Sequence, residues 1–147
     1  MKKQPNIVFI LSDDQGAWAM HCAGNEALRT PNLDRLAENG VRFDEFYCAS
    51  PVCSPARASI VTGKAPSCHG VLDWIAGGNI DTDRYPEMAN HSRFRTRDRA
   101  IEYLEGHKTY MDVLAENGYV CGLSGKWHLG NNAEKKKGFD KWFTIGA

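Results

Sequence analysis

The architecture of this chain follows from the stretch Cys53-Ser54-Pro55-Ala56-Arg57-Ala58-Ser59-Ile60-Val61-Thr62-Gly63, which is typical of a short helix with a cysteine at its start. Pro55 suits the first turn of a helix, because its missing N–H would have no partner there. Ser54 is then the expected N-cap, and Gly63 is expected to end the helix. The stretch therefore places Cys53 just before a helix N-terminus, where main-chain N–H groups and the helix dipole favour an anion.

Arg57 follows about one helical turn later, so its guanidinium group can turn toward the same place. Together the two features predict a pocket for the oxygen atoms of a sulfate or phosphate group. The alternative is a buried structural cysteine in front of an ordinary capped helix.

Upstream, residues 7–11 form a continuous apolar run that predicts a central parallel strand buried on both faces. The run leads to Asp13 and Asp14, and the chemistry of open α/β sheets lies at the carboxyl ends of the strands. Two adjacent carboxylates repel each other, and hard oxygen ligands suit Ca²⁺ or Mg²⁺. The pair thus indicates a metal site, with a solvated turn as the alternative.

A β-α-β unit is expected in the first third of the chain. Thr30 is the expected N-cap of a helix with Pro31 in its first turn and Gly40 at its end. Residues 41–47 alternate loosely between apolar and polar and predict a second strand, joined by a right-handed crossover. The expected fold class is therefore α/β, with a mainly parallel central sheet flanked by helices.

Downstream, Thr109 to Asn117 predicts a helix with Tyr110, Val113 and Leu114 facing inward. Residues 119–124 predict the strand that follows it.

Basic side chains lie at the end of that strand, in Gly125-Lys126-Trp127-His128-Leu129-Gly130. Lys126 and His128 are two residues apart, so in an extended segment they would share one side. By itself this spacing is a weak signal. His69, in a glycine-rich loop, is a further candidate for the anion pocket, and a structural or surface histidine is its alternative.

The bulk composition excludes several classes of protein. The 147 residues include 18 basic and 18 acidic side chains, so no overall charge points to nucleic acid or to an anionic membrane. The sequence has no apolar run long enough to span a membrane. Five cysteines without zinc-type spacing indicate reduced thiols. The cytoplasm is expected from the sequence as written, and the periplasm if a leader has been removed.

The three strings around Asp13-Asp14, Cys53 and Lys126-Trp127-His128 together resemble the type I, formylglycine-dependent sulfatases of the alkaline-phosphatase superfamily. The likeness runs almost end to end and corresponds to the N-terminal third or so of such enzymes. Residues 1–147 are accordingly expected to be the N-terminal part of a sulfatase catalytic domain, with a polar insertion at about 77–108. Arg93, Arg95, Arg97 and Arg99 alternate within that insertion, either as contacts to a sulfated glycan or as a solvated face.

The resemblance implies a nucleophile and a metal site. A dedicated formylglycine-generating maturation enzyme would oxidise Cys53 to formylglycine (3-oxoalanine), whose hydrated aldehyde attacks the sulfate ester. Asp13, Asp14 and residue 53 would bind the divalent cation, Ca²⁺ or alternatively Mg²⁺.

The resemblance also assigns roles to the basic residues. Arg57 and Lys126 would orient the formylglycine and stabilise the developing negative charge, with Lys126 also on the sulfate. His128 would serve the formylglycine hydroxyls as a base. Independently of the resemblance, His69 is a candidate substrate-binding residue from its place in the sequence.

The implied function is that of a sulfuric ester hydrolase acting on a small sulfate ester or a sulfated glycan. One alternative is a phosphonate monoester hydrolase or phosphodiesterase of the same superfamily. Another is a catalytically inactive sulfatase fragment, because no Asp-Asn pair at the family's usual place follows Gly130 to complete the cation ligands. Such a piece would expose apolar surface, which predicts a possible homo-oligomer.

Overall fold

The computed structural model describes residues 4–75, 86, 102–132 and 134–145. Within it the chain forms two compact units, Met1–Tyr47 and Cys48–Ala147. Most of the predicted polar insertion at 77–108 lies outside the described residues, as do its four alternating arginines.

The first unit contains a helix, α1 (Pro31–Asn39), and a short 3-10 turn, His21–Ala23. Thr30 occupies the N-cap position of α1, as predicted, but its side chain does not cap the helix. Instead its hydroxyl accepts a hydrogen bond from the His21 N–H at 2.9 Å and donates one to Asp34 at 3.0 Å. The threonine therefore ties the start of α1 to the preceding turn.

The predicted strands at 7–11 and 41–47 are wrong for this structure. Neither stretch forms a strand, so the expected β-α-β unit is absent from the described residues of the first unit. Val8 and Ile10 are each 83% exposed, although a central strand would bury them. The physical reason is that a strand requires neighbours to complete its hydrogen bonds, and this unit supplies none among its described residues.

Among its described residues the second unit has three helices: α2 (Cys53–Thr62), α3 (Pro66–His69) and α4 (Tyr110–Glu116). Gly63 ends α2 as predicted, in the left-handed conformation with φ 67°, and its N–H donates to the Ser59 carbonyl.

Helix α4 begins with a capping box in which Thr109 and Asp112 bond each other's main-chain N–H groups. The predicted inward face of α4 is confirmed at Leu114, which packs against the core, and wrong at Tyr110 and Val113, which are exposed. Met111 and Asp112 are buried instead. The Asp112 carboxylate is turned inward by its capping-box bonds to Thr109, so burial on α4 is shifted toward residues 111 and 112.

A parallel two-stranded sheet follows, made of β1 (Gly122–Lys126) and β2 (Lys141–Ile145), with Gly122 opposite Lys141 and Lys126 opposite Ile145. The predicted strand at 119–124 is thus displaced toward the C-terminus. Its displacement has a local cause, because the Tyr119 N–H still bonds the Leu114 carbonyl at the end of α4. Strand β2 was not predicted from the sequence.

An aromatic cluster packs beside this sheet. Trp127 lies edge-on to Trp142 and Phe139, with ring centroids 5.3 and 6.0 Å apart, and Leu129 is 1% exposed. The cluster fixes the segment after β1, which carries the predicted site residues. No helix in the part of the chain that the structure describes is long and apolar enough to cross a membrane.

Candidate active site

Cys53 is the first residue of α2, and the N-cap is Val52. The prediction that Ser54 caps the helix is therefore wrong. Ser54 is fully buried, and its Oγ accepts a hydrogen bond from the Ile75 N–H at 3.1 Å. The serine is occupied by this distant main-chain group and not by the N–H groups of its own helix.

The thiol of Cys53 faces a histidine that is 75 residues away in sequence. Its Sγ lies 3.3 Å from Nδ1 of His128, and Nε2 of His128 lies 2.8 Å from the Ile75 carbonyl oxygen. Because a carbonyl oxygen can only accept, Nε2 carries the ring proton. In the neutral ring Nδ1 is then free of a proton and can accept one from position 53.

His128 is held in an unusual main-chain conformation. It is 1% exposed and has a φ of 59°, in the left-handed region. The chain is therefore not extended at His128, as the prediction of a shared side for Lys126 and His128 had assumed. Among the described non-glycine residues, positive φ occurs at Asp14 and His128. Residues in this region are uncommon and cluster at functional sites.

Arg57 joins α2 to the end of β1. Its Nη1 donates a hydrogen bond to the main-chain carbonyl of Lys126 at 2.7 Å. This contact and the Cys53–His128 contact involve all four predicted catalytic residues. The structure thus brings the segment 126–128 against the first turn and a half of α2.

His69 is buried, and both of its ring nitrogens are engaged within the protein. Nδ1 accepts a hydrogen bond from the Val71 N–H at 3.1 Å, so Nε2 carries the proton and donates to Ser59 Oγ at 2.9 Å. Burial lowers the pKa of His69, and the nearby His107 and Lys64 lower it further. These contacts are those of a structural histidine and favour that alternative.

Asp13 and Asp14 lie on the first unit and are both exposed. Their carboxylates are the hard oxygen donors that Ca²⁺ and Mg²⁺ prefer, so the donor chemistry fits the expected cation. The number of donors is small, because the described residues hold no group of three or more His, Cys, Asp and Glu side chains that could bind a metal. The two aspartates thus fit as part of a ligand set.

Sequence reasoning missed the contribution of Ile75. Its main-chain N–H and carbonyl bond Ser54 and His128, and a main-chain group has no residue-type signal. Trp74 was also missed, and its ring lies edge-on to His128 with centroids 5.8 Å apart. The only available signal for Ser54 was its place beside the cysteine in the stretch that opens α2.

The fold and the site define an α/β protein with a cysteine–histidine pair at a helix N-terminus. The sulfatase family model matches residues 5–147, and the chain belongs to the sulfatase family. This confirms the resemblance predicted from the sequence.

Relatives with established names support the same assignment. The chain is 36% identical to N-acetylgalactosamine-6-sulfatase of Canis lupus familiaris, over 95% of this chain and 25% of the relative. It is 33% identical to N-acetylglucosamine-6-O-sulfatase of Bacteroides thetaiotaomicron, over 99% of this chain and 21% of the relative. It is 32% identical to human steryl-sulfatase, over 92% of this chain and 21% of the relative. The chain thus spans about a quarter or less of the length of these curated relatives.

Solved structures agree. One, in complex with its substrate D-glucosamine-2-N,6-O-disulfate, matches with a TM-score of 0.67 and 31% identity, over 95% of this chain and 23% of that one. A second, from work on glycosaminoglycan metabolism by Bacteroides thetaiotaomicron, matches with a TM-score of 0.73 and 31% identity. The match covers 97% of this chain and 28% of that one. These structures and the parallel β1–β2 pair confirm the predicted fold class.

Proposed function

We propose that this chain is the N-terminal part of a sulfuric ester hydrolase that uses a formylglycine made from Cys53. The observation that carries the proposal is the contact between Cys53 Sγ and His128 Nδ1, at 3.3 Å across 75 residues of sequence. A nucleophile within hydrogen-bond reach of a base, with the base oriented by a third group, is the arrangement that covalent catalysis requires. Here the third group is the Ile75 carbonyl.

A hydrated aldehyde at position 53 would supply the attacking hydroxyl, and a second hydroxyl whose deprotonation allows sulfate to leave. His128 would take that proton at Nδ1, because its Nε2 already carries one. In the matured residue an oxygen replaces the sulfur, so the group facing Nδ1 would be a hydroxyl.

Arg57 and Lys126 would stabilise the negative charge on the sulfate oxygens. Arg57 is held in place by its hydrogen bond to the carbonyl of Lys126, so its guanidinium group lies close to the C-terminal end of β1. A preorganised cation is more effective than a mobile one, because no reorganisation is needed during the reaction.

Asp13 and Asp14 would hold the divalent cation, Ca²⁺ or Mg²⁺. When bound, the cation would polarise a sulfate oxygen and lower the pKa of the attacking hydroxyl. Two aspartates supply only part of the oxygen ligands that Ca²⁺ or Mg²⁺ requires, so other groups would complete the coordination of the cation.

The substrate we propose is a sulfate ester, and sulfated sugars are the first candidates. Relatives named for N-acetylgalactosamine-6-sulfate and N-acetylglucosamine-6-sulfate hydrolysis support this choice, as does the structure solved with a disulfated glucosamine. His69 remains a proposed substrate residue from the sequence, although its contacts favour a structural role.

The test is turnover by the full-length, matured enzyme of an aryl sulfate, a 6-sulfated N-acetylhexosamine and an aryl phosphonate. The expected result is hydrolysis of the sulfate esters, with a loss of about 10²- to 10⁴-fold in kcat for His128→Gln. The matched control is His21→Gln, on the exposed 3-10 turn, which should keep full activity. Preferential hydrolysis of the phosphonate would overturn the proposed reaction.

A further inference from the structure

Ser54 has no part in the chemistry proposed above, yet it is one of the most deeply buried residues of α2. Its Oγ accepts a hydrogen bond from the Ile75 N–H at 3.1 Å. The carbonyl of the same Ile75 accepts from Nε2 of His128 at 2.8 Å. A single residue of main chain therefore connects the serine hydroxyl to the histidine ring.

These contacts close into a circuit, because Nδ1 of His128 lies 3.3 Å from Sγ of Cys53, and Cys53 precedes Ser54 in α2. The helix fixes residues 53 and 54 relative to each other. Ser54 fixes the main chain of Ile75, and the Ile75 carbonyl selects the ring nitrogen of His128 that carries the proton. Buried polar groups connected in this way hold one another in a single arrangement.

We propose that Ser54 is a positioning residue for His128. Its hydroxyl holds Ile75 so that the Ile75 carbonyl keeps His128 in the Nε2–H tautomer, with Nδ1 turned toward position 53. The functional meaning of this coupling rests on the proposed role of His128. The coupling itself is a property of the folded chain with an unmodified cysteine, so it can be tested apart from hydrolysis.

Ser59 provides a matched control in the same helix. Its Oγ also bonds a buried histidine, but that partner is His69, whose tautomer is set by the Val71 N–H on Nδ1. Removing either hydroxyl costs α2 one side-chain hydrogen bond to a buried residue. Only the Ser54 hydroxyl belongs to the circuit that ends at His128.

The experiment is ¹⁵N NMR of the histidine-labelled full chain, with residue 53 kept as cysteine and with His128→Gln used to assign the His128 signals. The wild type should show a protonated Nε2 and an unprotonated Nδ1. In Ser54→Ala, the ratio of the Nδ1–H to the Nε2–H tautomer should rise about fivefold, the effect expected from one lost hydrogen bond. Ser54→Thr, which keeps a hydroxyl, should restore the wild-type signals, and Ser59→Ala should leave them unchanged.

Two results would overturn the proposal. The first is a wild-type His128 with its proton on Nδ1, a result that does not depend on any variant folding. The second is a Ser54→Ala protein that is destabilised as much as Ser59→Ala but has unchanged His128 signals, since Ser54 would then be merely structural. If the full-length, matured enzyme hydrolysed neither the aryl sulfate nor the 6-sulfated N-acetylhexosamine while the NMR result was as expected, the proposed function would be rejected and the Ser54–His128 coupling would stand.

Discussion

At the scale of single residues, two buried histidines in the second unit have opposite proton arrangements toward their partners. His128 places an unprotonated nitrogen 3.3 Å from the Cys53 thiol, whereas His69 places a protonated nitrogen 2.9 Å from the Ser59 hydroxyl. His128 can therefore accept a proton from its partner, and neutral His69 cannot. Main-chain contacts, from Ile75 and Val71, create the difference.

His69 should make the stability of the folded protein depend on pH. Burial and nearby positive groups lower the pKa of His69 from its ordinary 6.5, so below that pH the unfolded chain binds more protons than the folded chain. The contribution of neutral His69 to the free energy of unfolding is fully present above pH 6.5. It should be lost as the pH falls from there toward the lowered pKa of His69 in the folded state. Denaturant unfolding at a series of pH values measures this loss.

The control is His69→Gln, which cannot titrate in this range. It should be less stable than the wild type at neutral pH, because it loses the contacts to Ser59 and Val71, and it should show a flatter pH dependence. If the stability of the two proteins changed with pH in the same way, the pH dependence would not come from His69.

At the scale of elements, Trp127 anchors the segment that carries Lys126 and His128. It is 4% exposed and packs edge-on to Trp142 and Phe139. Trp127→Ala should lower the free energy of unfolding by about 3–5 kcal/mol, because it leaves a large cavity in the core.

Phe143→Ala is the matched aromatic control, since Phe143 lies in the neighbouring strand β2 and is 68% exposed. It should change the stability by less than about 1 kcal/mol. Denaturant unfolding of both variants tests the prediction, and equal losses would show that the aromatic cluster does not dominate the packing of this unit.

The helices were more predictable from the sequence than the strands. Helix α1 ends within a residue of the predicted bounds, because Pro31 and Gly40 are local signals. The run 7–11 has the composition of a buried strand, but strand formation depends on partners elsewhere, and the first unit offers none among its described residues. The same limit explains why β2, which pairs with β1 from 15 or more residues away, was not predicted.

In the candidate site, too, the features that depend on local sequence were predicted and those that depend on tertiary contacts were not. Cys53, Arg57, Lys126 and His128 were predicted because they lie in short strings of characteristic residue types. The left-handed conformation of His128 and the part played by Ile75 were not, because both arise from tertiary packing and main-chain atoms. Ser54 was predicted in the wrong role, since a serine before a proline has the local pattern of an N-cap.

At the scale of the whole molecule, the exposed apolar side chains predict self-association of the 147-residue chain. Phe46 is 82% exposed and Val120 78%, and the run 7–11 is exposed throughout. Exposed apolar surface and unpaired strand edges favour contacts between copies. Size-exclusion chromatography with light scattering should show dimers or larger species that increase with concentration, and a clean monomer at all concentrations would contradict this.

The proposed reaction requires that Cys53 is the precursor of the nucleophile. Peptide mass spectrometry across residue 53 tests it most directly, on full-length protein made with and without a formylglycine-generating partner. A loss of about 18 Da at Cys53 that depends on the partner is the predicted result, since an aldehyde replaces the thiol. An unmodified thiol in the presence of an active partner would contradict the claim and favour a sulfatase-family chain without this chemistry.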